Sequence, residues 1–178
     1  SIDIPAPSGI QDDDVLLLCA LGGEPVNLPS GFTNILTGTN GGGDDCRVAY
    51  KIANSESGAY TVTQTSNARL TGSIYVIRGA NTSGPINNSS FSDTGVTSTP
   101  TAPSHSTSEN DCLNIRWTAQ ESANTDLTAT QPTEIFTTLT VSDKISSAAS
   151  YDTTATAGAI GTKAFTADSS TNFSAVSV

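Results

Sequence analysis

The stretch that decides the fold is "RVAYKIANSESGAYTVTQTS", residues 47–66. Apolar and polar residues alternate through 48–52 and again through 60–65, and a small polar segment at 54–58 separates the two runs. Alternation with a period of two residues is typical of a strand with one buried face and one solvated face. The stretch therefore predicts a β-hairpin, and its solvated face consists largely of threonine and serine.

The same alternation recurs along the whole chain. No stretch of a dozen residues has the apolar spacing of an amphipathic helix, and clusters of glycine, proline, asparagine and serine separate the apolar runs. Strands are predicted at 15–21, 33–37, 46–53, 60–65, 71–78, 113–119, 134–141, 160–167 and 173–178. The sequence indicates no internal repeat. It predicts one all-β domain over residues 1–178, an antiparallel β-sandwich with a jelly roll as the favoured topology.

One connection, at residues 79–112, is long for a compact domain. It consists mostly of serine, threonine, asparagine and proline, which bury too little apolar surface to order a free loop. Ile86, Phe91 and Val96 are spaced along it like anchors, and 96–99 offers a short additional strand. We expect this loop to dock on a neighbouring subunit, with these three residues as the interface.

Composition and charge exclude several classes of partner. The chain has 178 residues, with 17 acidic and 7 basic side chains and a formal net charge of −10. Such a surface repels phosphate backbones and anionic lipids, so neither nucleic acid nor a membrane is an expected partner. The longest apolar run, 15–21, is too short to span a bilayer. Three aspartates stand before this run, where a signal peptide would carry basic residues.

The three cysteines have no metal-like spacing. Cys19 lies in an apolar run and is predicted to be a buried free thiol. A disulfide between Cys46 and Cys112 is one alternative for the other two. Three reduced thiols, in a protein made in the cytoplasm, is the favoured alternative.

No group of residues indicates catalysis, a cofactor or a metal. His105 is the only histidine, and its proline- and serine-rich surroundings are a poor place to hold a Ser-His-Asp triad, so we expect it to be exposed. The acidic runs 12–14 and 44–45 lack the spacing of a calcium loop and are expected to be solvated turns. The glutamates are scattered, and no pair is suggested for glycoside hydrolysis. The chain is therefore predicted not to be an enzyme.

Trp117 is the only tryptophan and has two interpretations. Leu113, Ile115 and Trp117 share one parity of a predicted strand, which favours a core position. The alternative is an exposed aromatic ring on which a sugar stacks.

Four stretches together carry a resemblance to a known family. They are "LPSGFTNI" (28–35), "RVAYKIANSESGAYTVT" (47–63), "GSIYVIRGANTSGPIN" (72–87) and "AGAIGTKAFTADSSTNFSAVSV" (157–178). Their order and spacing resemble a β-sandwich module of tailed-phage virion proteins, of the capsid decoration or cement type, which also occurs in some large bacterial surface proteins. Phe32 stands where the family commonly has tryptophan. The resemblance covers nearly the whole chain, and it carries no catalytic residues.

The resemblance implies a structural role. The expected function is decoration and stabilisation of a phage capsid, as a homotrimer bound to the major capsid protein on the virion surface after synthesis in the bacterial host cytoplasm. The alternative is a carbohydrate- or receptor-binding head of a phage tail fibre or surface adhesin. In that alternative a sugar would stack on one of the aromatic residues Trp117, Tyr50, Tyr60, Tyr75 or Tyr151.

Overall fold

A computed structural model provides the fold. The residues whose structure it describes are 1–66, 69–121, 127–129, 134–137 and 145–178. Within these residues there is no helix, and every strand pair is antiparallel. The all-β, antiparallel prediction is therefore confirmed.

The described residues form strands that are short and closely spaced, as the sequence predicted. In chain order they are β1 (Ile2–Pro5), β2 (Val15–Gly22), β3 (Val26–Asn27), β4 (Thr33–Thr39), β5 (Asp45–Ile52), β6 (Ala59–Gln64), β7 (Leu70–Ile77), β8 (Ser90–Thr97), β9 (Thr101–Ala102), β10 (Ser106–Thr107), β11 (Cys112–Glu121), β12 (Leu127–Ala129), β13 (Glu134–Thr137), β14 (Ile145–Thr154), β15 (Gly158–Ala159), β16 (Lys163–Ala167) and β17 (Thr171–Ser177).

The larger sheets stack in four layers. The two inner sheets have the strand orders β4-β5-β2-β7 and β13-β14-β11-β17-β8, and the two outer sheets have the orders β1-β6-β3 and β12-β16-β9. The strands β10 and β15 form a separate small pair. The outer sheets were not predicted, and these strand orders do not confirm a jelly roll.

The central strand β2 is buried on both faces. Leu17, Cys19 and Leu21 belong to the core between the two inner sheets, whereas Leu18 and Ala20 belong to the core beneath the outer sheet β1-β6-β3. A strand covered on both sides has an uninterrupted apolar sequence instead of an alternating one. This explains the run "VLLLCAL" at 15–21.

Several strands differ from the sequence prediction. The ten-residue strand β14 was missed, because its sequence "ISSAASYDTT" has small residues on both faces and shows no alternation of apolar and polar residues. Its neighbouring residues Ala148 and Ala149 are nevertheless buried in two different cores. The segment 79–112, predicted as one loop, contains β8, β9 and β10. The prediction at 134–141 is met by β13 up to Thr137, and its remainder lies outside the described residues.

The two halves of the chain repeat one topology, although the sequence indicated no repeat. The first half forms the sheets β1-β6-β3 and β4-β5-β2-β7, and the second half forms β9-β16-β12 and β13-β14-β11-β17. The strand orders are the same when each strand is exchanged for its counterpart. The counterparts are β1 and β9, β2 and β11, β3 and β12, β4 and β13, β5 and β14, β6 and β16, and β7 and β17. The strands β8, β10 and β15 are additions to the second half.

Irregularities in the pairing occur at the same place in both halves. The register of β4 against β5 shifts between Asn34 and Leu36, and that of β13 against β14 shifts between Glu134 and Phe136. The sequences at these shifts are "TNILT" (33–37) and "TEIFT" (133–137). Because a β-bulge is a specific local feature rather than a defect, a shared bulge supports true equivalence of the two halves.

The central strands of the two halves also begin alike. Asp13 and Asp111 have positive φ angles of 70° and 55° just before β2 and β11, and the buried residues Cys19 and Trp117 follow them at equal spacing. Both buried residues lie in the core shared by the inner sheets. Equivalent faces therefore pack on each other across this core, as the two subunits of a two-fold symmetric dimer do.

Candidate functional site

The predicted interface residues Ile86, Phe91 and Val96 lie in three different environments. Phe91 packs against the core between the inner sheets, and Val96 is 70% exposed on the same strand, β8. Ile86 lies before β8 and lines a cavity of about 680 Å³. At least two of the three therefore make contacts within their own chain.

Trp117 is a core residue, as its parity predicted. Its side chain is 0% exposed, in the core between the inner sheets. The sugar-stacking alternative is therefore wrong for this residue. Tyr60 and Tyr75 are also buried, whereas Tyr50 and Tyr151 are half-buried.

His105 is half-buried, and the expectation of a fully exposed histidine is wrong. It lines the 680 Å³ cavity, and its Nδ1 atom is buried without a hydrogen-bond partner among the described residues. Burial lowers the pKa of His105, and the positive charge of Arg116 lowers it further. A triad requires a carboxylate or another hydrogen-bond acceptor that orients the imidazole through one ring nitrogen. Among the described residues, no such acceptor contacts Nδ1 of His105.

The lowered pKa of His105 predicts a specific pH dependence of stability. Below about pH 6.5 the unfolded chain binds a proton at His105, whereas the folded chain leaves His105 neutral until the pH falls to its lower folded-state pKa. The free energy of unfolding should therefore fall as the pH drops through about 6.5 toward the lower folded-state pKa. His105→Gln should flatten this part of the profile, measured by urea unfolding at a series of pH values. A slope identical to that of the parent would contradict the burial of this imidazole.

Asp12 and Asp13 lie in an exposed turn, as predicted, whereas Asp14, Asp44 and Asp45 are buried and the prediction of a solvated turn is wrong for them. Asp14 accepts two hydrogen bonds from Arg78, at 3.0 and 2.9 Å, and this partner lowers the pKa of Asp14. Asp45 accepts from the backbone N–H of Val26 at 2.7 Å and from Arg47 Nε at 2.9 Å. The carboxylates of Asp14 and Asp45 therefore have structural partners. Among the described residues, no group of three or more His, Cys, Asp or Glu side chains is placed to hold a metal ion.

The three cysteines are free thiols in different environments. Cys19 and Cys46 are completely buried, and burial raises the pKa of both. Cys112 is partly exposed, and its Sγ lies 3.4 Å from the carbonyl oxygen of Glu109. The favoured alternative of three reduced thiols therefore agrees with the structure.

Thiol labelling should separate these environments. In the native protein we expect a disulfide reagent to label Cys112 quickly, because the reactive species is an accessible thiolate. Cys19 and Cys46 should react only after unfolding. Labelling followed by peptide mass spectrometry gives the order, and native-state modification of Cys19 would contradict the four-layer stack.

A second groove follows the edge of β7. In the part of the chain that the structure describes, β7 pairs with β2 and with no other strand. The groove has a volume of about 560 Å³ and lies between β7, the segment around β1, and the strands β11 and β14. Its lining residues are all uncharged. They are Ile4, Pro5, Pro7, Ser8, Gly72, Ser73, Ile74, Tyr75, Val76, Ile77, Leu113, Ile115 and Tyr151.

The two grooves differ in chemistry. The cavity at His105 is also lined by Arg78, Glu109 and Asp111, whereas the lining of the β7 groove is mostly apolar and includes two serines and two tyrosines. An apolar groove beside a strand edge is a typical place for a protein segment to bind. No helix among the described residues has the length and apolar character needed to cross a bilayer. Comparisons with models of protein families, with curated proteins and with solved structures found no match to this chain.

Proposed function

We propose that this chain is a structural protein of a phage virion that decorates and stabilises the capsid as a homotrimer bound to the major capsid protein. The observation that carries the proposal is the four-layer stack itself, in which two equivalent halves share one continuous core. A stack joined in this way presents rigid strand faces to a partner, and little conformational entropy is lost when such a surface binds.

The outer faces of the stack suit binding to protein. Thr61 on β6 and Thr166 on β16 are exposed, and they occupy equivalent positions in the two outer sheets. Threonine maintains strand propensity, and its hydroxyl can donate and accept hydrogen bonds without adding charge. The resemblance to the capsid decoration module supports the same class of function. In this proposal the outer sheets lie against capsid protein.

The alternative, a receptor- or carbohydrate-binding head, has one observation in its favour. Tyr151 is half-buried and lines the β7 groove, so part of its ring is accessible to a ligand. An aromatic ring beside a groove can stack on a sugar ring. Binding to a panel of bacterial surface glycans, lost in Tyr151→Ala, would favour this alternative over capsid decoration.

A binding experiment with capsids tests the main proposal. Purified chain is mixed with mature phage capsids stripped of accessory proteins, and bound protein is measured by sedimentation. We expect saturable binding and a higher temperature of capsid disassembly. The double variant Thr61→Lys and Thr166→Lys should weaken binding if the outer faces are the contact. The matched control, Thr33→Lys and Thr39→Lys, places the same charges on exposed positions of an inner sheet. A protein that neither sediments with capsids nor stabilises them would refute the proposal.

A further inference from the structure

The cavity at His105 combines an aliphatic wall with a rim of polar side chains. Ile86 and Val178 line it and are partly buried, and Leu113 on the same lining is 37% exposed. The carboxylates of Glu109 and Asp111 are exposed at the rim. The cavity volume of about 680 Å³ lies in the range of sites that hold small molecules, about 300–1,000 Å³.

Hydrogen bonds hold the rim of this cavity in place. Asn87 Nδ2 donates to Ser108 Oγ at 3.0 Å, and the N–H of Ser108 donates to Asn87 Oδ1 at 2.9 Å. Asn88 Nδ2 donates to the carbonyl oxygen of Ser106 at 2.9 Å. These bonds join the segment before β8 to the segment around β10. A site that is formed before its ligand arrives loses little conformational entropy on binding.

A buried polar side chain on the cavity lining has an atom without a hydrogen-bond partner. Asn114 is 1% exposed, and its Nδ2 donates to Asp152 Oδ1 at 3.0 Å. Because an ionised carboxylate only accepts, this bond fixes the orientation of the amide. Asn114 Oδ1 then has no partner within the described part of the chain, and neither has Nδ1 of His105. Such atoms reduce stability unless a ligand completes their hydrogen bonds.

The first half of the chain shows that the fold does not require polar side chains at these positions. Leu16 is the counterpart of Asn114 and Leu18 is the counterpart of Arg116, because each pair has the same spacing from its positive-φ aspartate. Leu16 and Leu18 are 0% exposed and belong to apolar clusters. The same architecture is therefore built with leucine in one half and with buried polar residues in the other.

A buried positive charge acts on His105. Arg116 is 1% exposed and donates through Nη2 to the carbonyl oxygen of Ile160, whose N–H donates to the carbonyl oxygen of His105. Although Arg116 also pairs with Asp152 at 3.2 Å, its charge lowers the pKa of His105. A cationic ligand beside His105 would be disfavoured by the same charge.

The rim carries the opposite charge. Glu109 and Asp111 are exposed carboxylates, and Arg78 on the same lining is already paired with Asp14 at 2.9 Å. An anionic ligand would be repelled by the two rim carboxylates. The ligand that avoids both penalties is uncharged. A hydroxyl group meets the remaining needs, because it donates to an amide or carboxylate oxygen and can donate to or accept from an imidazole nitrogen.

We propose that the cavity at His105 is a binding site for an uncharged sugar, whose hydroxyl groups bond to Asn114 Oδ1 and the rim carboxylates while its C–H groups pack on Ile86 and Leu113. Sugar binding here is a separate activity from capsid decoration. It is measured without capsids, so the two proposals fail independently.

NMR titration of the intact protein tests the proposal. The probes are glucose, galactose and mannose, each compared with its 6-amino-6-deoxy form and its uronate, which differ from it in charge at one carbon. In at least one set we expect saturable shifts at residues 84–88 and 105–114 with the neutral sugar, and roughly tenfold weaker binding of both charged forms. Absence of saturable binding by all three neutral sugars would overturn the proposal, as would equal or tighter binding of a charged form.

The variant Asn114→Leu tests the buried acceptor. It introduces the residue that the first half has at the equivalent position, so the circular dichroism spectrum should be unchanged. Sugar binding should fall by about tenfold or more, because Oδ1 is lost. Unchanged sugar binding in this variant would overturn the site.

A charge-neutral rim tests the electrostatic argument without disturbing the core. The double variant Glu109→Gln and Asp111→Asn keeps hydrogen-bonding groups, and asparagine tolerates the positive φ at 111. Binding of the uronate should strengthen by about tenfold, whereas the neutral sugar should change less. Asp168→Asn is the matched control, an exposed carboxylate outside the cavity that should leave all binding unchanged. Equal effects of the rim variant and this control would contradict binding at the rim.

Discussion

Trp117→Ala should lower the free energy of unfolding by about 3–5 kcal/mol, the range typical of a large buried aromatic residue. Trp117 is 0% exposed and lies on β11, in the core that the two inner sheets share. Its removal leaves a cavity between the two halves, and neither half can fill it alone because each is a rigid sheet. The loss should appear in urea unfolding as a lower midpoint.

The matched control is Leu113→Ala, on the same strand and with the same parity. Leu113 is 37% exposed, so its truncation should change the unfolding free energy by less than about 1 kcal/mol. Both variants should still unfold in one transition, because the halves are joined by one core. Two separate transitions in Trp117→Ala, or equal losses in the two variants, would contradict a core at this position.

Gly38→Ala should destabilise the protein by about 1–3 kcal/mol through overpacking. A Cβ atom at this position on β4 would lie 2.5 Å from two carbons of the Phe91 ring. The ring is attached to β8, which is paired along its length with β17, so it has little freedom to move away. Gly84→Ala is the control, since nothing lies within 4 Å of an added Cβ there and its backbone needs no positive φ.

A double-mutant cycle attributes this effect to a single contact. Phe91→Ala alone removes an anchor of β8 and is expected to cost about 2 kcal/mol or more. In the double variant the added methyl group no longer meets a ring, so the combined loss should be smaller than the sum by about 0.5–3 kcal/mol. Additive losses in chemical denaturation would mean that β8 does not lie against β4.

The strands with strong apolar contrast could be predicted from the sequence, and the weakly patterned ones could not. The two strands predicted within 47–66 are present as β5 and β6, but the predicted hairpin is wrong, because β5 pairs with β2 and β4 while β6 pairs with β1 and β3 in an outer sheet. The apolar run at 15–21 is the central strand β2. β14 was missed because its buried residues are alanines and serines, which produce no alternation of apolar and polar residues in the sequence. β8 was taken for a loop because its pairing partner, β17, lies far along the chain.

The duplication has a sequence signal that is easy to overlook. "APS" occurs at 6–8 and 102–104, and "TNILT" at 33–37 corresponds to "TEIFT" at 133–137. These matches are short and separated by turns of different length, and it is the strand pairing that aligns them. The β7 groove was not predicted for the same reason, because a groove between strands depends on the sheet order and not on the local sequence.

The interface prediction for 79–112 shows where sequence reasoning reaches its limit. The anchor pattern of Ile86, Phe91 and Val96 predicted an interface with a neighbouring subunit. Which surface such residues bind depends on the fold, and in the structure Ile86 and Phe91 contact their own chain. Val96, at 70% exposed, remains a predicted contact for a neighbouring subunit.

The most direct test of the central claim, a structural role on the capsid, is the copy number of this chain in purified virions of a phage that encodes it. Quantitative mass spectrometry gives the ratio of this chain to the major capsid protein, and cryo-electron microscopy places it. We expect copies in numbers comparable to the major capsid protein, distributed over the shell as trimers. A chain absent from the virion, or present in a few copies at the tail alone, would contradict the account.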